Sequence, residues 1–358
     1  MNEITINGKS INAGGGSNHV KEQTEFEQKT ISFIRAYLSG HKLFTFQTSG
    51  STGKSKEITF SKTQLQISAR RTNAIFGLTP GKTVLHCLSP DYVAGKMMLV
   101  RALEGRLRLL SQTPGANPLS QLPDGKIIDF VALAPGQLDG ILRESPQKLK
   151  QTKTILLGGA DLPPGLEQKL QKLETQIFQS YAMTETLTHV ALRQINGTDK
   201  TREYHAIPGV SFEVDDRGCL VVDDEMLGIK QLVTNDLVEL VDEKTFRWKG
   251  RYDNVVNSGG IKIMLEETER NISEILRGLG IVVPFCLVSL PDEQLGEKLV
   301  LLLTQIDNQL LNRQQLEVAL KEKLPKYHAP KIIQFVPKLY LTNTGKIDRR
   351  KNKEVYLA

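Results

Sequence analysis

The pattern of hydrophobic and polar positions in the first half of the chain predicts alternating strands and helices. Short apolar runs such as residues 84–88 and 154–157 are typical of buried strands, whereas Leu166 and Leu170 recur at helical spacing. Alternation of this kind predicts α/β layers around a largely parallel sheet. The predicted strands of this half lie at residues 44–47, 84–88, 106–110, 129–134 and 154–157, and the predicted helices at residues 21–38, 62–76, 95–103, 135–143 and 162–173.

The pattern changes after residue 194 to short segments of alternating polarity. They predict antiparallel hairpins or a small barrel, at residues 210–214, 219–222, 231–233, 237–241 and 246–249. A second change follows Arg251, where a compact unit begins whose first helix opens with Glu266 and Glu267, as the helix dipole favours. We therefore predict a large domain at residues 1–251, with mainly parallel sheet layers and a small β subdomain, and a small α+β domain at residues 252–358.

Composition excludes several classes of protein. The length of 358 residues suggests two unequal domains. A hydrophobic fraction of 39% excludes predominant disorder. Proline and polar residues interrupt the longest apolar runs, so no membrane span is expected, and the polar N-terminus predicts a strand and turn rather than a signal peptide. Cys87, Cys219 and Cys286 are too far apart for a metal site or a disulfide framework, which favours a reducing, cytoplasmic compartment.

Charge adds one feature, a basic C-terminal tail. The net charge is a mild +6, but cations accumulate from Lys338 to Lys353. Such a run is usually a solvated surface, and a nearby phosphate-rich ligand is the sharper interpretation. Nucleic acid is a weaker third interpretation because interleaved aromatic residues are missing, so no nucleic-acid partner is expected.

The strongest local motif is Thr-Ser-Gly-Ser-Thr-Gly-Lys-Ser-Lys at residues 48–56. Its two glycines allow a tight turn, so that backbone amides and hydroxyls can face an anion, and its lysines add charge. A Walker A loop would need glycine five positions before Gly53, where this chain has Thr48. A solvated linker is the alternative. The position of the motif between an apolar strand and an amphipathic helix favours phosphate binding.

Four further segments strengthen this interpretation. Small residues end a strand at 156–160, and residues 179–185 offer an aromatic face, hydroxyls and a carboxylate. Residues 234–236 supply an acid suited to a ribose diol, and residues 250–253 with 258–262 place cations beside a glycine-rich bend. Each segment alone fits an ordinary strand end or turn, whereas their joint occurrence in this order favours a nucleotide site.

With the Gly345-Lys346-Ile347 motif, these segments resemble the adenylate-forming superfamily of acyl-CoA synthetases, peptide-synthetase adenylation domains and luciferases, over residues 48–349. The resemblance implies that residues 1–251 form an N-terminally shortened AMP-binding domain. Residues 252–358 would form a mobile lid domain that carries the catalytic lysine. It also implies a two-step reaction: a carboxylate attacks the α-phosphate of ATP with Mg²⁺ present, and a thiol, usually that of coenzyme A, then displaces AMP.

The resemblance also implies roles for individual residues. The catalytic residues would be Lys346, Thr184 and Glu185, with Glu185 binding Mg²⁺. ATP would contact Thr48, Ser49, Gly50, Ser51, Thr52, Gly53, Lys56, Gly159, Ala160, Ser180, Tyr181, Asp236, Arg251 and Lys262. Asp253 would be the hinge, and the thiol channel would be lined by Ser258, Gly259 and Gly260.

The acid substrate would be held by Tyr92, Lys96, Arg101 and Gly158. Tyr92 would flank a substrate ring, with core packing as an equal alternative. A buried or half-buried cation at Lys96 or Arg101 would require an anionic partner such as a second substrate carboxylate. A surface salt bridge is the alternative for both residues, and more so for Lys96. The turn before this helix and Arg101 are similar to those of the o-succinylbenzoate–CoA ligases of menaquinone biosynthesis.

Several alternatives stay open at this point. Within enzymes, they are another aryl- or acyl-CoA ligase and a carrier-protein loading enzyme. Outside catalysis, a nucleotide-binding relative and, on the basic tail alone, a nucleic-acid-binding protein are possible classes. The expected partners are a small carboxylic acid, ATP and coenzyme A, and the sequence indicates neither a monomer nor an oligomer.

Overall fold

The computed structural model describes residues 4–7, 9–11, 24–47, 57–160, 162, 166–304, 313–342 and 347–357. The chain divides into two compact units. The first comprises Met1–Asp161, Lys169–Ser211 and Asp223–Gln231, and the second comprises Leu162–Gln168, Phe212–Val222 and Leu232–Ala358.

The helices and strands of the described residues are numbered in chain order. The helices are α1 (Glu25–Leu38), α2 (Lys62–Ile75), α3 (Val93–Gly105), α4 (Pro135–Glu144), α5 (Leu166–Leu170), α6 (Leu265–Gly278), α7 (Arg313–Lys323) and α8 (Arg349–Leu357). The strands are β1 (Ile4–Ile6), β2 (Lys9–Ile11), β3 (Leu43–Gln47), β4 (Glu57–Ser61), β5 (Thr83–His86), β6 (Arg108–Ser111), β7 (Ile128–Leu133), β8 (Thr152–Leu157), β9 (Gln176–Ala182), β10 (His189–Gln194), β11 (Tyr204–Ala206), β12 (Val210–Val214), β13 (Cys219–Asp224), β14 (Ile229–Asp242), β15 (Thr245–Arg251), β16 (Val255–Ser258), β17 (Ile261–Met264), β18 (Phe285–Asp292), β19 (Gly296–Thr304) and β20 (Ile332–Val336).

The first unit contains the predicted parallel sheet. Its strand order is β11-β10-β9-β8-β7-β5-β6-β1-β2. Every neighbouring pair from β9 to β1 is parallel, whereas β10 and β11 continue the sheet antiparallel. Burial explains the apolar runs, since every residue of β5 is buried. The predicted α/β fold is confirmed.

Helices α1, α2 and α3 share one hydrophobic core with this sheet. Ile34, Leu65 and Met97 are among the buried side chains of that cluster. Two capping boxes start the helices, because Thr24 caps α1 and Ser61 caps α2. The cap at Thr24 makes Glu25 the first helical residue, later than the predicted start of this helix.

A β-hairpin precedes α2. Strands β3 and β4 pair antiparallel, from Leu43 opposite Ser61 to Gln47 opposite Glu57. The sequence predicted the phosphate motif between a strand and a helix, and this prediction was wrong, because β4 intervenes. The motif, residues 48–56, connects the two strands and lies outside the described residues.

A buried ion pair joins α2 to a distant part of the first unit. Arg71 donates to Asp224 through Nη1 and Nη2, and Nη1 also donates to the Pro208 carbonyl at 3.1 Å. The side chains of Arg71 and Asp224 are 3% and 0% exposed. These bonds pair the two charges away from water, which a buried ion pair requires, while Arg71 Nε makes no hydrogen bond within the described part of the chain.

The second unit contains β15, the greater part of β12, β13 and β14, and a separate sheet. Strands β12 to β15 follow one another in space, and the other sheet has the order β17-β16-β19-β18 with β20 parallel to β19. The sequence predicted two strands at 231–233 and 237–241. The structure has a single strand, β14, whose Asp236 pairs with Arg251. Helices α6 and α7 bury Ile272 and Leu316 on the sheet of β16–β20.

The compact units divide the chain differently from the predicted domain boundary at residue 252. Residues 232–251 belong to the second unit. Strand β15 is bound to α6, because Arg270 Nη2 donates to the Lys249 carbonyl at 2.9 Å and the Arg251 backbone N–H donates to Glu266 at 3.4 Å. The lid role of residues 252–358 stays a prediction.

Two sequence-based expectations concern chemistry outside the site. All three cysteines are buried free thiols. Within the described ranges, every helix is too short or too polar to cross a membrane.

Candidate active site

The carboxyl ends of two parallel strands bring together Gly158 and Ser180. Ser180 Oγ donates to the Leu157 carbonyl at 2.9 Å, at the end of β8. A Cβ on Gly158 would lie 2.9 Å from that hydroxyl, and Gly159 has a φ of +84°. The two glycines therefore let the chain turn closely past β9, at the strand ends where ligands bind in α/β sheets.

The residues after β9 form a fixed turn. Thr186 is fully buried, and its Oγ1 lies 2.7 Å from the Thr188 carbonyl oxygen. A short 3₁₀ helix at Thr184–Thr186 leaves Thr184 half-buried and Glu185 exposed. Tyr181 packs edge-on against Tyr204, with ring centroids 5.9 Å apart. The turn thus presents one hydroxyl and one carboxylate on a rigid support.

The turn before α3 positions Tyr92. A Cβ on Gly95 would lie 2.1 Å from the Ser89 carbonyl oxygen, so only glycine fits this turn. Asp91 is bound by Lys29 at 2.8 Å, and this hydrogen bond lowers the pKa of Asp91. Tyr92 is 43% exposed, which argues against plain core packing.

Lys96 contacts aromatic rings. Its Nζ lies 5.0 Å from the centroid of the Phe46 ring and 3.4 Å from the Thr45 carbonyl oxygen. Burial lowers the pKa of this ammonium. The described contacts of Lys96 are thus cation–π packing and one carbonyl.

Arg101 is a buried cation that no described carboxylate neutralises. Its side chain lies on α3 with 3% of the residue exposed. Nη1 contacts Met98 Sδ at 3.4 Å, and Nε has no hydrogen-bond partner among the residues that the structure describes. No carboxylate in the described part of the chain pairs with it, so the alternative of a surface salt bridge was wrong. Burial lowers the pKa of Arg101 to about 10, and burial together with the charge of Arg101 keeps the pKa of His189 well below its usual value.

In the second unit, Asp236 lies in a cluster with Trp248, Arg251 and Asp253. The Trp248 indole N–H donates to Asp236 Oδ1 at 3.1 Å, and Arg251 Nη1 lies 3.7 Å from the same oxygen. Arg251 Nη2 also donates to Asp253 at 3.0 Å. The structure thus brings the predicted ribose acid beside the predicted hinge. Sequence analysis missed Trp248, which the pairing of β14 with β15 places there.

The predicted thiol-channel residues form the turn of a hairpin between β16 and β17. Gly259 and Gly260 have φ values of +60° and +78°, and a Cβ on Gly259 would lie 3.0 Å from the Tyr327 ring. Ser258 is buried, whereas Lys262 is exposed. Glycine is required here because both residues are left-handed.

Some predicted residues cannot be placed. Lys346 and the phosphate motif lie outside the described residues, the motif comprising Thr48, Ser49, Gly50, Ser51, Thr52, Gly53 and Lys56. Among the residues that are described, no group of three or more His, Cys, Asp or Glu side chains is arranged to hold a metal ion.

Comparison with known proteins gives one family and several relatives. The model of the AMP-binding enzyme family matches residues 21–230. The 2-succinylbenzoate–CoA ligase of Lactococcus lactis subsp. lactis (strain IL1403) is 25% identical over 323 residues, which is 86% of this chain and 69% of that protein.

Two solved structures are also similar. An acyl-CoA synthetase (AMP-forming)/AMP-acid ligase II-like protein from Dyadobacter fermentans DSM 18053 is 37% identical with a TM-score of 0.62, over 93% of this chain and 95% of that chain. The o-succinylbenzoate coenzyme A synthetase (MenE) from Bacillus subtilis, in complex with ATP and magnesium, is 19% identical with a TM-score of 0.72, over 86% of this chain and 69% of that chain. At this identity, the similarity to the B. subtilis protein is a similarity of fold.

Proposed function

The chain belongs to the family of AMP-binding enzymes, as its motifs predicted, and from this premise we propose that it is an o-succinylbenzoate–CoA ligase. In the proposed reaction a substrate carboxylate attacks the α-phosphate of ATP, which releases pyrophosphate and forms an acyl-adenylate. The thiol of coenzyme A then attacks the acyl carbon and AMP leaves. The name of the L. lactis relative supports this substrate.

The observation that carries the substrate class is the buried charge of Arg101, which no carboxylate in the described ranges compensates. Burying a guanidinium without a carboxylate costs desolvation free energy, and a bound anion would offset that cost. A dicarboxylic acid can present one carboxylate to ATP and the other to Arg101. The exposed ring of Tyr92 supports an aromatic substrate, because it is free to stack.

For the nucleotide, Asp236 would accept hydrogen bonds from the ribose hydroxyls, and Ser180 and Tyr181 would border the adenine. Thr184 would donate to the α-phosphate. Glu185 fits a magnesium ion, because Mg²⁺ prefers carboxylate oxygens together with substrate phosphates and this carboxylate is exposed. When bound, Mg²⁺ would neutralise phosphate charge.

Lys346 would stabilise the charge that develops on phosphorus during adenylation. Losing such a group typically costs on the order of 10²–10³ in rate. We further propose that residues 252–358 act as a lid with its hinge at Asp253, which Arg251 holds by an ion pair. A cytoplasmic location is supported by the three free thiols, because thiols persist in a reducing compartment.

The test is ATP–pyrophosphate exchange with o-succinylbenzoate and two monocarboxylic analogues, 4-oxo-4-phenylbutanoate and 2-butanoylbenzoate. We expect exchange with the diacid in the wild type and none in K346A. R101L should reduce kcat/KM for the diacid by at least about 30-fold, because a partner of a buried charge pair is lost at a cost of about 2 kcal/mol or more. For the analogue that the wild type uses better, R101L should keep kcat/KM within about threefold of the wild-type value.

The matched control is R143L, which removes an exposed arginine from α4 of the same unit. It should behave as the wild type with every acid. Exchange with a different acid alone would retain the ligase and overturn the substrate. ATP binding without exchange for any acid would favour a non-catalytic nucleotide-binding protein.

A further inference from the structure

Helix α8 contains a buried asparagine. Asn352 is 0% exposed, although the helix around it carries Arg350, Lys351, Lys353 and Glu354. Asparagine in the middle of a helix has a poor intrinsic propensity and is usually solvated. A buried asparagine at this position therefore needs partners for its amide.

The Asn352 amide finds those partners at two residues. Its Nδ2 donates to the Tyr340 carbonyl at 2.9 Å and to the Asp348 carbonyl at 2.7 Å, and its Oδ1 accepts from the Tyr340 N–H at 2.9 Å. Only a side chain with both a donor and an acceptor can make this set of bonds. Leucine would fill the space without any of them.

Tyr340 and Asp348 flank residues 343–346, which lie outside the described part of the chain. The backbone adds to the arrangement, because the Asp348 N–H donates to the Tyr340 carbonyl at 3.0 Å and Leu341 bridges to Ile347. Asn352 thus holds both flanks of the segment that contains Lys346 against one helix.

We propose that Asn352 is a positioning residue for Lys346, and this inference rests on the proposed function. Asn352 fixes Tyr340 and Asp348, described residues on either side of Lys346 in the chain, before substrate binds. A misplacement of about 1 Å at a reacting group can cost about 10²-fold in rate. Asn352 acts through Lys346 and does not itself contact the substrate.

The first test measures position without activity. In hydrogen exchange of the full chain, N352L should speed exchange of the Tyr340 and Asp348 amides at least about tenfold, because both are held in this arrangement. Amides of β18 and β19 should be unchanged. The matched control is N271L, the same change at an exposed position of α6, which should match the wild type. Unchanged exchange in N352L, or faster exchange throughout the second unit, would overturn the proposal.

The second test separates the two half-reactions. N352L should lower kcat for ATP–pyrophosphate exchange about 10- to 100-fold with the KM for ATP within about threefold, consistent with lost positioning. Thioester formation from added acyl-adenylate should stay within threefold, because the proposed role of Lys346 is confined to adenylation. Equal losses in both steps would indicate a merely structural role and overturn the proposal.

The pH profile of N352D gives a further readout. The introduced carboxylate keeps the acceptor for the Tyr340 N–H but repels the two carbonyl oxygens, whereas its protonated form can donate to one of them. The loss of kcat for ATP–pyrophosphate exchange in N352D, relative to the wild type, should therefore become smaller as the pH falls. A loss that does not change with pH would count against the hydrogen-bond argument. If the wild type shows no exchange with any acid, the proposed function fails, while the amide exchange of Tyr340 and Asp348 still decides the positioning claim.

Discussion

Arg71 and Asp224, 153 positions apart in the chain, form a bidentate ion pair in the interior of the first unit, with Nη1–Oδ1 at 3.0 Å and Nη2–Oδ2 at 2.8 Å. Neither side chain contacts water appreciably. The pair therefore specifies where α2 lies against residues 223–231. Removing one partner should destabilise the fold differently from removing both.

Removing one partner should be severe. D224N leaves a buried guanidinium without its counter-charge and should lower the free energy of unfolding by about 3–5 kcal/mol. The double variant R71M/D224L should cost clearly less than the sum of the single variants, because it leaves no charge behind. Urea unfolding measures both. A loss below about 1 kcal/mol for D224N would contradict the interpretation.

The pH dependence of stability should contain a contribution from His86. Burial lowers the pKa of His86 to about 3, against an ordinary value of 6.5. Between these values the unfolded chain binds a proton that the folded chain does not, so stability falls as the pH falls. The loss amounts to about 1.4 kcal/mol per pH unit. H86Q, which does not titrate, should have a slope shallower by about that amount in urea unfolding between pH 6 and pH 4. Equal slopes would mean that His86 is accessible to protons.

Trp248 should report nucleotide binding. It is the sole tryptophan of the chain, and its indole N–H is bonded to the acid that we propose as the ribose ligand. AMP should change its fluorescence, and D236N should weaken AMP binding about tenfold or more, since a charged hydrogen bond contributes about 1.5–3 kcal/mol. W248F should bind AMP in calorimetry while giving no signal. AMP binding to D236N with wild-type affinity would remove Asp236 from the site.

Gly158 should be intolerant of a side chain. G158A places a Cβ 2.9 Å from Ser180 Oγ and should displace that hydroxyl from the Leu157 carbonyl. We expect a loss of about 1–3 kcal/mol in stability and weaker ATP binding. G136A in α4 is the control, because its Cβ meets nothing within 4 Å and should stabilise the helix by about 0.5–1 kcal/mol. Thermal unfolding and ATP titration compare the two, and equal behaviour would show that the turn has room.

The sequence predicted the elements whose burial is one-sided or complete. Strands β5, β7 and β8 were visible as apolar runs because the sheet buries them. Strand β4 was missed although Glu57–Ser61 alternates in polarity, because these five residues directly follow a motif rich in serine and glycine. The continuity of β14 was missed because Asn235 and Asp236 are typical of turns, and pairing with β15 overrides that preference.

The candidate site was predictable where local chemistry defines it. Gly158 and Ser180 lie at the ends of strands, where the hydrophobic pattern of the sequence predicts a strand to end. Arg101 follows two methionines on a buried helix face. Trp248 and Asn352 were not predictable, because their partners are set by strand register and by the packing of α8. In both cases the informative contact joins residues twelve positions apart, beyond any local pattern.

The hairpin of β3 and β4 has a consequence for how residues 48–56 can vary. Gln47 and Glu57 are paired, so the two ends of this segment are held together by ten strand residues outside it. For a segment between two fixed ends, doubling the number of residues costs only about 0.6 kcal/mol of closure entropy. Changes in the sequence or length of residues 48–56 should therefore have little effect on folding, which leaves selection free to adjust this segment for ligand chemistry alone.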